Sequence, residues 1–271
     1  TSGNVGGDAD KEKVGDVKVE LAEGSAEELE RVEKLRLRTD SVKKIVGNVD
    51  ILDTFDFDVL QVKTNEECIE VVHYLFDAKF GFFNEFSIPH DVFDNFCNAL
   101  AKKYINTNTY HNFKHAVDVC HTSFRLMMVA QLNSVATGGS GVMSSLDMLS
   151  LLVAALGHDV GHPAVNNSFL VKSKHSLAFQ HNDKSPLENM HCVVLYEILS
   201  DTPQLSRSMS RARKGSDVDG SGSTKQGGTN IFMNLSDSQW RESRKVILFS
   251  ILGTDMVHHF EQVKKTQVGL I

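Results

Sequence analysis

His158-Asp159-Val160-Gly161-His162 places two imidazoles and a carboxylate within five residues, a combination suited to binding metal. An adjacent His-Asp pair can take one ion through nitrogen and reach a second through oxygen. His162 follows His158 by four residues, so the two share a helix face if the preceding helix persists that far. Pro163 then makes further regular helix unfavourable, because its ring clashes with the turn before it. The competing reading is a helix C-terminus whose histidines suit the negative end of the dipole. Further histidines upstream favour a metal site.

Those histidines stand in Tyr110-His111-Asn112-Phe113-Lys114-His115-Ala116-Val117-Asp118-Val119. His111, His115 and Asp118 are spaced i, i+4 and i+7, which a helix would present on one face. Two histidines one turn apart can chelate a metal together. Alternatively, one binds the metal while the other handles a proton. The spacing leaves both readings open.

Positioning these groups requires helices, and the apolar periodicity supplies them. Leu146 to Leu156 is apolar almost all round, so it is expected to form a central buried helix that delivers His158 and Asp159 from a rigid element. Residues 133–145, rich in Asn, Gly, Ser and Thr, read as the loop before it. Earlier in the chain, Ser25 with Glu28 gives a capping-box signature, and Leu29, Val32, Leu35, Val42 and Ile45 loosely mark one face. That charged helix reads either as a linker from an upstream module or as a solvated lead-in. Phe55 and Phe57 alternate with Asp56 and Asp58 in a short irregular anchor. Ile69, Val72, Leu75, Phe76 and Phe80 mark one helix. Another starts near Pro89 and carries Val92, Phe93, Phe96, Leu100 and Tyr104, aromatics best read as core.

Past the His158 motif, Ser185-Pro186-Leu187-Glu188 has the pattern of a helix start, and capping alone accounts for Glu188. Ser236 with Gln239 opens a last helix through Trp240, Ile247 and Ile251 to Thr254-Asp255-Met256. Asp255 follows Ile251 by four residues and so falls on the inward stripe. A buried carboxylate there needs a partner, for which a metal-bound water would serve.

The totals bound the rest. The chain has 271 residues, 41% hydrophobic, enough for a real core in one large or two small domains, and no apolar run is long enough to span a membrane. A net charge of −7 excludes nucleic acid and anionic membrane surfaces as partners suggested by composition. Cys68, Cys97, Cys120 and Cys192 are widely spaced and read as buried thiols of a reducing compartment. Residues 1–24, with little apolar content, are expected to be disordered. Residues 200–229, a Gly-, Ser- and Asp-rich run, are expected to form a flexible surface insertion.

Taken together, the motifs resemble the catalytic domain of class I 3',5'-cyclic nucleotide phosphodiesterases. The matching pieces, in order, are Phe55-Asp56-Phe57-Asp58-Val59, Tyr110-His111-Asn112 with His115-Ala116-Val117-Asp118-Val119, and an HDxxHxxxxN signature from His158 to Asn167. Asn182-Asp183, Leu187-Glu188-Asn189 with His191, and Thr254-Asp255-Met256 follow. The resemblance covers about residues 50–265, interrupted by the insertion.

The resemblance implies an all-α, compact multi-helix bundle of the phosphodiesterase and HD-domain type. Residues 49–271 would be a partial catalytic domain and residues 1–48 a disordered or linker segment with a charged helix. It also implies hydrolysis of cAMP or cGMP, or both, to 5'-monophosphates with two divalent ions, zinc and magnesium or manganese. By motif position His115, His158 and Asp159 would be metal ligands, Asp159 touching both ions, and His111 the acid that protonates the leaving 3' oxygen. Tyr110, His162, Asn167, Glu188, Asp255 and Met256 would line the pocket or stand behind the ligands. A cytoplasmic enzyme, with an upstream regulatory or dimerising region and any membrane association carried elsewhere, is the corresponding expectation. Two departures stand out: Gly161 where many animal members carry Asp, and Ala164 where they carry Gly. The family also places a further metal-binding Asp, a purine-binding Gln and a clamping Phe beyond Thr254-Asp255-Met256. This chain is therefore expected to be a fragment, incomplete at the C-terminus. The rival expectations are a non-catalytic nucleotide sensor or scaffold, and another HD-type nucleotide phosphohydrolase.

Overall fold

Helices form at the expected apolar stripes and pack around one of them. The computed structural model describes residues 26–136, 143–200, 228–260 and 263–264, and among these residues there is no strand. The expectations for residues 1–24, the Ser25 cap and nearly all of the 200–229 insertion lie outside the described residues. In chain order the helices are α1 (Ala26–Val46), α2 (Asn65–Tyr74), α3 (Phe82–Glu85), α4 (His90–Lys103), α5 (Phe113–Ala136), α6 (Ser145–Gly157), α7 (Asn167–Lys172), α8 (Ser176–Gln180), α9 (Pro186–Leu199) and α10 (Asp237–Leu252). A π-helical turn, Leu75–Lys79, continues α2.

The central helix is α6, which packs against α5, α9 and α10. Leu149, Leu152, Val153 and Leu156 are buried on all its sides, as a helix apolar all round requires. The buried Ser150 on this helix is satisfied: its hydroxyl bonds that of Ser243 on α10 at 2.8 Å and also bonds the Leu146 carbonyl. The start of α6 is fixed by a capping box between Ser144 and Asp147. The same core continues through Phe76, Phe82, Phe93 and Phe96, which join the π-helical turn, α3 and α4. All four cysteines are buried free thiols.

Three local expectations change. The helix of α5 runs on through residues 133–136, because Asn133 and Ser134 weaken a helix only slightly and the strong breakers, Gly138 and Gly139, come later. Pro89 is the residue before α4 rather than its first, with His90 opening the helix. Finally, α1 is solvated only over its first half. Leu29 and Val32 are exposed, whereas Val42 is fully buried and Arg38 pairs with Glu70 on α2 and Asp94 on α4.

Candidate metal centre

The end of α6 sets the site. His158 caps the helix, and its Nδ1 lies 2.8 Å from the Ala155 carbonyl. A carbonyl only accepts, so Nδ1 carries the proton and Nε2 is turned to the site. Regular helix does not continue to His162, as the shared-face expectation required. Two tight turns follow, closed by Val160 N to the Gly157 carbonyl and His162 N to the Asp159 carbonyl. Gly161 sits at φ +78, a left-handed conformation that bulky side chains avoid. The turn is therefore made at Gly161, before Pro163 is reached. Asn and Asp tolerate this conformation better than most residues, which makes glycine and aspartate compatible alternatives at this place.

The His111 side of the site also departs from the helical arithmetic. Because α5 begins at Phe113, His111 lies outside it and the i, i+4, i+7 face does not form. Asn112 ends the preceding turn by accepting from the His115 amide at 3.2 Å. Asn108, which the sequence analysis missed, donates to the carbonyls of both His111 (3.0 Å) and His162 (2.8 Å). The two imidazoles stack with centroids 3.8 Å apart and planes 7° from parallel. Asp118 does not join the cavity lining.

Asp159 is the meeting point. Its Oδ2 lies 3.4 Å from His115 Nε2 and 3.2 Å from His158 Nε2, while Oδ1 is 3.8 Å from His191 Nε2. Donor atoms of His115, His158 and Asp159 lie within 4.8 Å of one another, and so do those of Asp159, His162 and His191. One carboxylate thus stands between two sets of imidazole donors, and both sets suit a divalent transition ion. Burial alone would raise the Asp159 carboxyl, but hydrogen bonds with His115 and His158 and the nearby imidazoles hold it well below the usual range. Burial likewise opposes charge on His158, yet the Asp159 carboxylate outweighs it and raises the imidazole. His162 is lowered by burial first and the neighbouring His111 second.

His191 appeared in the sequence only as part of a motif, not as a site residue. On α9 it is buried, pushed down to about 4 chiefly by burial, with Nδ1 2.8 Å from the Val160 carbonyl and Nε2 facing Asp159. Tyr104, read as core, also supports the site: its hydroxyl donates to the Leu156 carbonyl at 2.9 Å and receives the Asp159 amide at 3.4 Å.

The outer groups are linked in pairs. Ser185 does not cap α9 with its side chain, since it sits at φ +43 and its hydroxyl donates to Asp255 Oδ2 at 2.7 Å. The α9 N-terminus is served by Asn167 instead, whose Oδ1 accepts from the Leu187 amide at 3.0 Å. Its Nδ2 donates to Glu188 Oε2 at 2.8 Å, so Glu188 is a bridge to the signature Asn rather than a local cap. Burial raises the Glu188 carboxyl in spite of that bond. Asp255 is buried, but α10 has already ended at Leu252, and its oxygens are met by Ser185 and by the Val257 amide (3.0 Å), where a metal-bound water was expected.

A cavity of about 870 Å³ opens beside these groups. His111, His158, Asp159, His162, Asn167, Glu188 and Asp255 line it, together with apolar Leu151 and Ala154 and the exposed Tyr110 and Met256. Immediately before His158, Gly157 is pressed against Leu195: an added Cβ would meet Leu195 Cδ2 at 2.7 Å. Gly157→Ala is expected to destabilise the protein by about 1–3 kcal/mol through overpacking. A denaturation midpoint checks this, and an unshifted midpoint would show that Leu195 yields freely.

Residues 110–270 match the sequence model of a family described as 3'5'-cyclic nucleotide phosphodiesterase. The chain is 32% identical over 212 residues to the 3',5'-cyclic-AMP phosphodiesterase 4 of Dictyostelium discoideum, covering 77% of this chain and 17% of that protein. It is 27% identical over 222 residues to the dual specificity calcium/calmodulin-dependent 3',5'-cyclic nucleotide phosphodiesterase 1C of Mus musculus, covering 81% and 27%. Among solved structures, the phosphodiesterase domain of the RhoPDE fusion protein from the choanoflagellate Salpingoeca rosetta superposes with a TM-score of 0.63 at 29% identity, covering 83% of this chain and 59% of that one. The chain thus spans well under a third of these two relatives and somewhat over half of that solved domain.

Proposed function

Since the chain belongs to the 3',5'-cyclic nucleotide phosphodiesterase family, we propose that it hydrolyses 3',5'-cyclic nucleotides to 5'-nucleoside monophosphates in cyclic nucleotide signalling. The observation that carries this reading is the place of Asp159, whose two oxygens face separate groups of histidines beside an open cavity. In the reaction a water oxygen bonds to phosphorus, the bond from phosphorus to the 3' oxygen breaks, and that oxygen takes up a proton.

His115, His158 and Asp159 are the groups to hold divalent metal, zinc together with magnesium or manganese, and His191 and His162 complete the donors around Asp159. When bound, such ions supply charge neutralisation at the phosphodiester and a water of lowered pKa. The chain's own residues do the rest. His111 belongs to neither group of donors around Asp159 and lines the cavity, so its imidazole is the one free to give a proton to the 3' oxygen. The stack on His162 and the Asn108 clamp hold that ring in place. Asn167, Glu188 and Asp255 fix part of the cavity lining through their paired hydrogen bonds, and Tyr110 and Met256, exposed on the cavity wall, are placed to touch the nucleoside.

The same reading assigns residues 49–271 to the catalytic unit and residues 1–48 to a segment leading in from a regulatory or dimerising part. A cytoplasmic location fits the four buried free thiols. Among the described residues no helix is long and apolar enough to cross a membrane.

A substrate panel tests the proposal: cAMP, cGMP, a 2',3'-cyclic nucleotide and a nucleoside triphosphate, each with the metal-loaded protein. Turnover confined to the 3',5'-cyclic substrates, with 5'-monophosphate as product, is the expected result. Preference for the triphosphate would point to a different nucleotide phosphohydrolase. A folded, metal-loaded protein that turned over nothing would be a sensor or scaffold.

A further inference from the structure

Residues 104–112 connect α4 to α5, carry His111, and hold the turn that follows α6 at both of its ends. Tyr104 stands at one end. It is almost wholly buried, and its amide closes α4 on the Leu100 carbonyl at 3.1 Å. Asn108 stands at the other.

The end of α6 shows what Tyr104 does. A helix leaves its last carbonyls without partners of its own. Here the Ala155 carbonyl is met by His158 Nδ1 at 2.8 Å, that of Leu156 by the Tyr104 hydroxyl at 2.9 Å, and that of Gly157 by the Val160 amide at 3.2 Å. His158 and Val160 are local, whereas Tyr104 reaches in from 52 positions away. Its oxygen also receives the Asp159 amide at 3.4 Å. A phenol both donates and accepts, so one hydroxyl spans the step from the last turn of helix to Asp159. A buried tyrosine needs a partner, and any core carbonyl would satisfy it. That need does not account for the second bond, to Asp159.

Asn108 fastens the far end. Its Nδ2 donates to the His162 carbonyl at 2.8 Å and to the His111 carbonyl at 3.0 Å. Its own backbone is fixed in turn: the amide bonds the Ile105 carbonyl and the carbonyl accepts from Asn112 Nδ2, both at 3.0 Å. Between the two tethers, the His162 amide closes the turn on the Asp159 carbonyl at 3.1 Å. The tethers bond backbone atoms only, which leaves the Asp159 carboxylate and the imidazoles free for an ion.

We propose that Tyr104 and Asn108 are positioning residues, a two-ended clamp that sets the Asp159 turn in its metal-binding shape before an ion arrives. The proposal rests on the metal centre of the function given above and not on the substrate. Outer groups that orient ligands contribute about 10–100-fold in metal affinity. Because both tethers hold one turn, the loss of either frees it, and their effects are coupled.

Zinc affinity, read by competition with a chromogenic chelator, tests this in folded Tyr104→Phe, Asn108→Ala and the double variant. Each single change should weaken binding of the tightest ion about 10–100-fold. The double variant should fall short of the product of the two losses. Ser243→Ala is the control for losing a buried hydroxyl: it removes the bond to Ser150, in the first half of α6, and should leave zinc affinity unchanged. Amide hydrogen exchange in the metal-free wild type is a second measurement that needs no variant. The Asp159 amide should be protected there as it is with zinc bound. Single variants that fold and bind zinc as the wild type does would reduce Tyr104 and Asn108 to core and turn residues and overturn the proposal. So would losses that simply multiply, or an Asp159 amide that gains its protection only with zinc. A wild type that took up no zinc would instead overturn the metal centre itself, and the clamp with it.

Discussion

Asp159→Ala is expected to lose metal from the catalytic cavity and turnover together. The carboxylate is the one group that both sets of imidazoles face: His115 and His158 at Oδ2, His191 at Oδ1. Without it, the imidazoles of His115, His158, His162 and His191 remain with no anion between them, and a dication is then held by neutral donors alone. A bound ion supplies several kcal/mol of charge stabilisation to a phosphodiester reaction, so turnover should fall by about 10³-fold or more. The helices should stay folded, because Asp159 lies in the turn after α6 and core residues such as Leu152 and Leu156 do not depend on it. Metal analysis beside a turnover assay reads both effects. Wild-type metal content in this variant would contradict the assignment.

His111→Ala should behave differently. His111 is absent from both donor groups around Asp159, so the variant should keep its metal while turnover of cyclic nucleotide drops by about 10²–10⁴-fold, the usual worth of a positioned acid. The deficit should nearly vanish with a phosphodiester that releases nitrophenolate, a leaving group that needs no proton. Near-normal turnover of cAMP and cGMP by the variant would exclude His111 as the donor. Equal losses on both substrates would assign it to binding instead.

These contrasts rest on positions that the sequence revealed unevenly. Local patterns were legible wherever local physics decides. The all-apolar run of α6 had to be buried, and Ser236 with Gln239 does cap α10. The same capping logic misread Ser185 and Glu188, because their partners, Asp255 and Asn167, lie 70 and 21 residues away. A four-residue pattern carries no sign of a distant competitor for its hydroxyl. Counting helical positions failed for His111 and Asp255 for a related reason: both lie outside the helix used to place them, His111 before Asn112 caps α5 and Asp255 after α10 has ended.

His191 shows the opposite limit. In the sequence it is only one member of a motif, and only the fold reveals that it faces Asp159. The adjacent His158 and Asp159 were conspicuous because both lie on one short segment. The part of a site carried by consecutive residues is readable from the sequence, and the part assembled from separate helices requires the structure.

The most direct measurement is turnover of cAMP and cGMP by metal-loaded protein in water enriched in oxygen-18, with the product analysed by mass spectrometry. Attack at phosphorus, with His111 protonating the 3' oxygen, predicts a 5'-monophosphate that carries one heavy oxygen on phosphorus and none on the ribose. Heavy oxygen at the ribose 3' position, or a 3'-monophosphate product, would contradict the account.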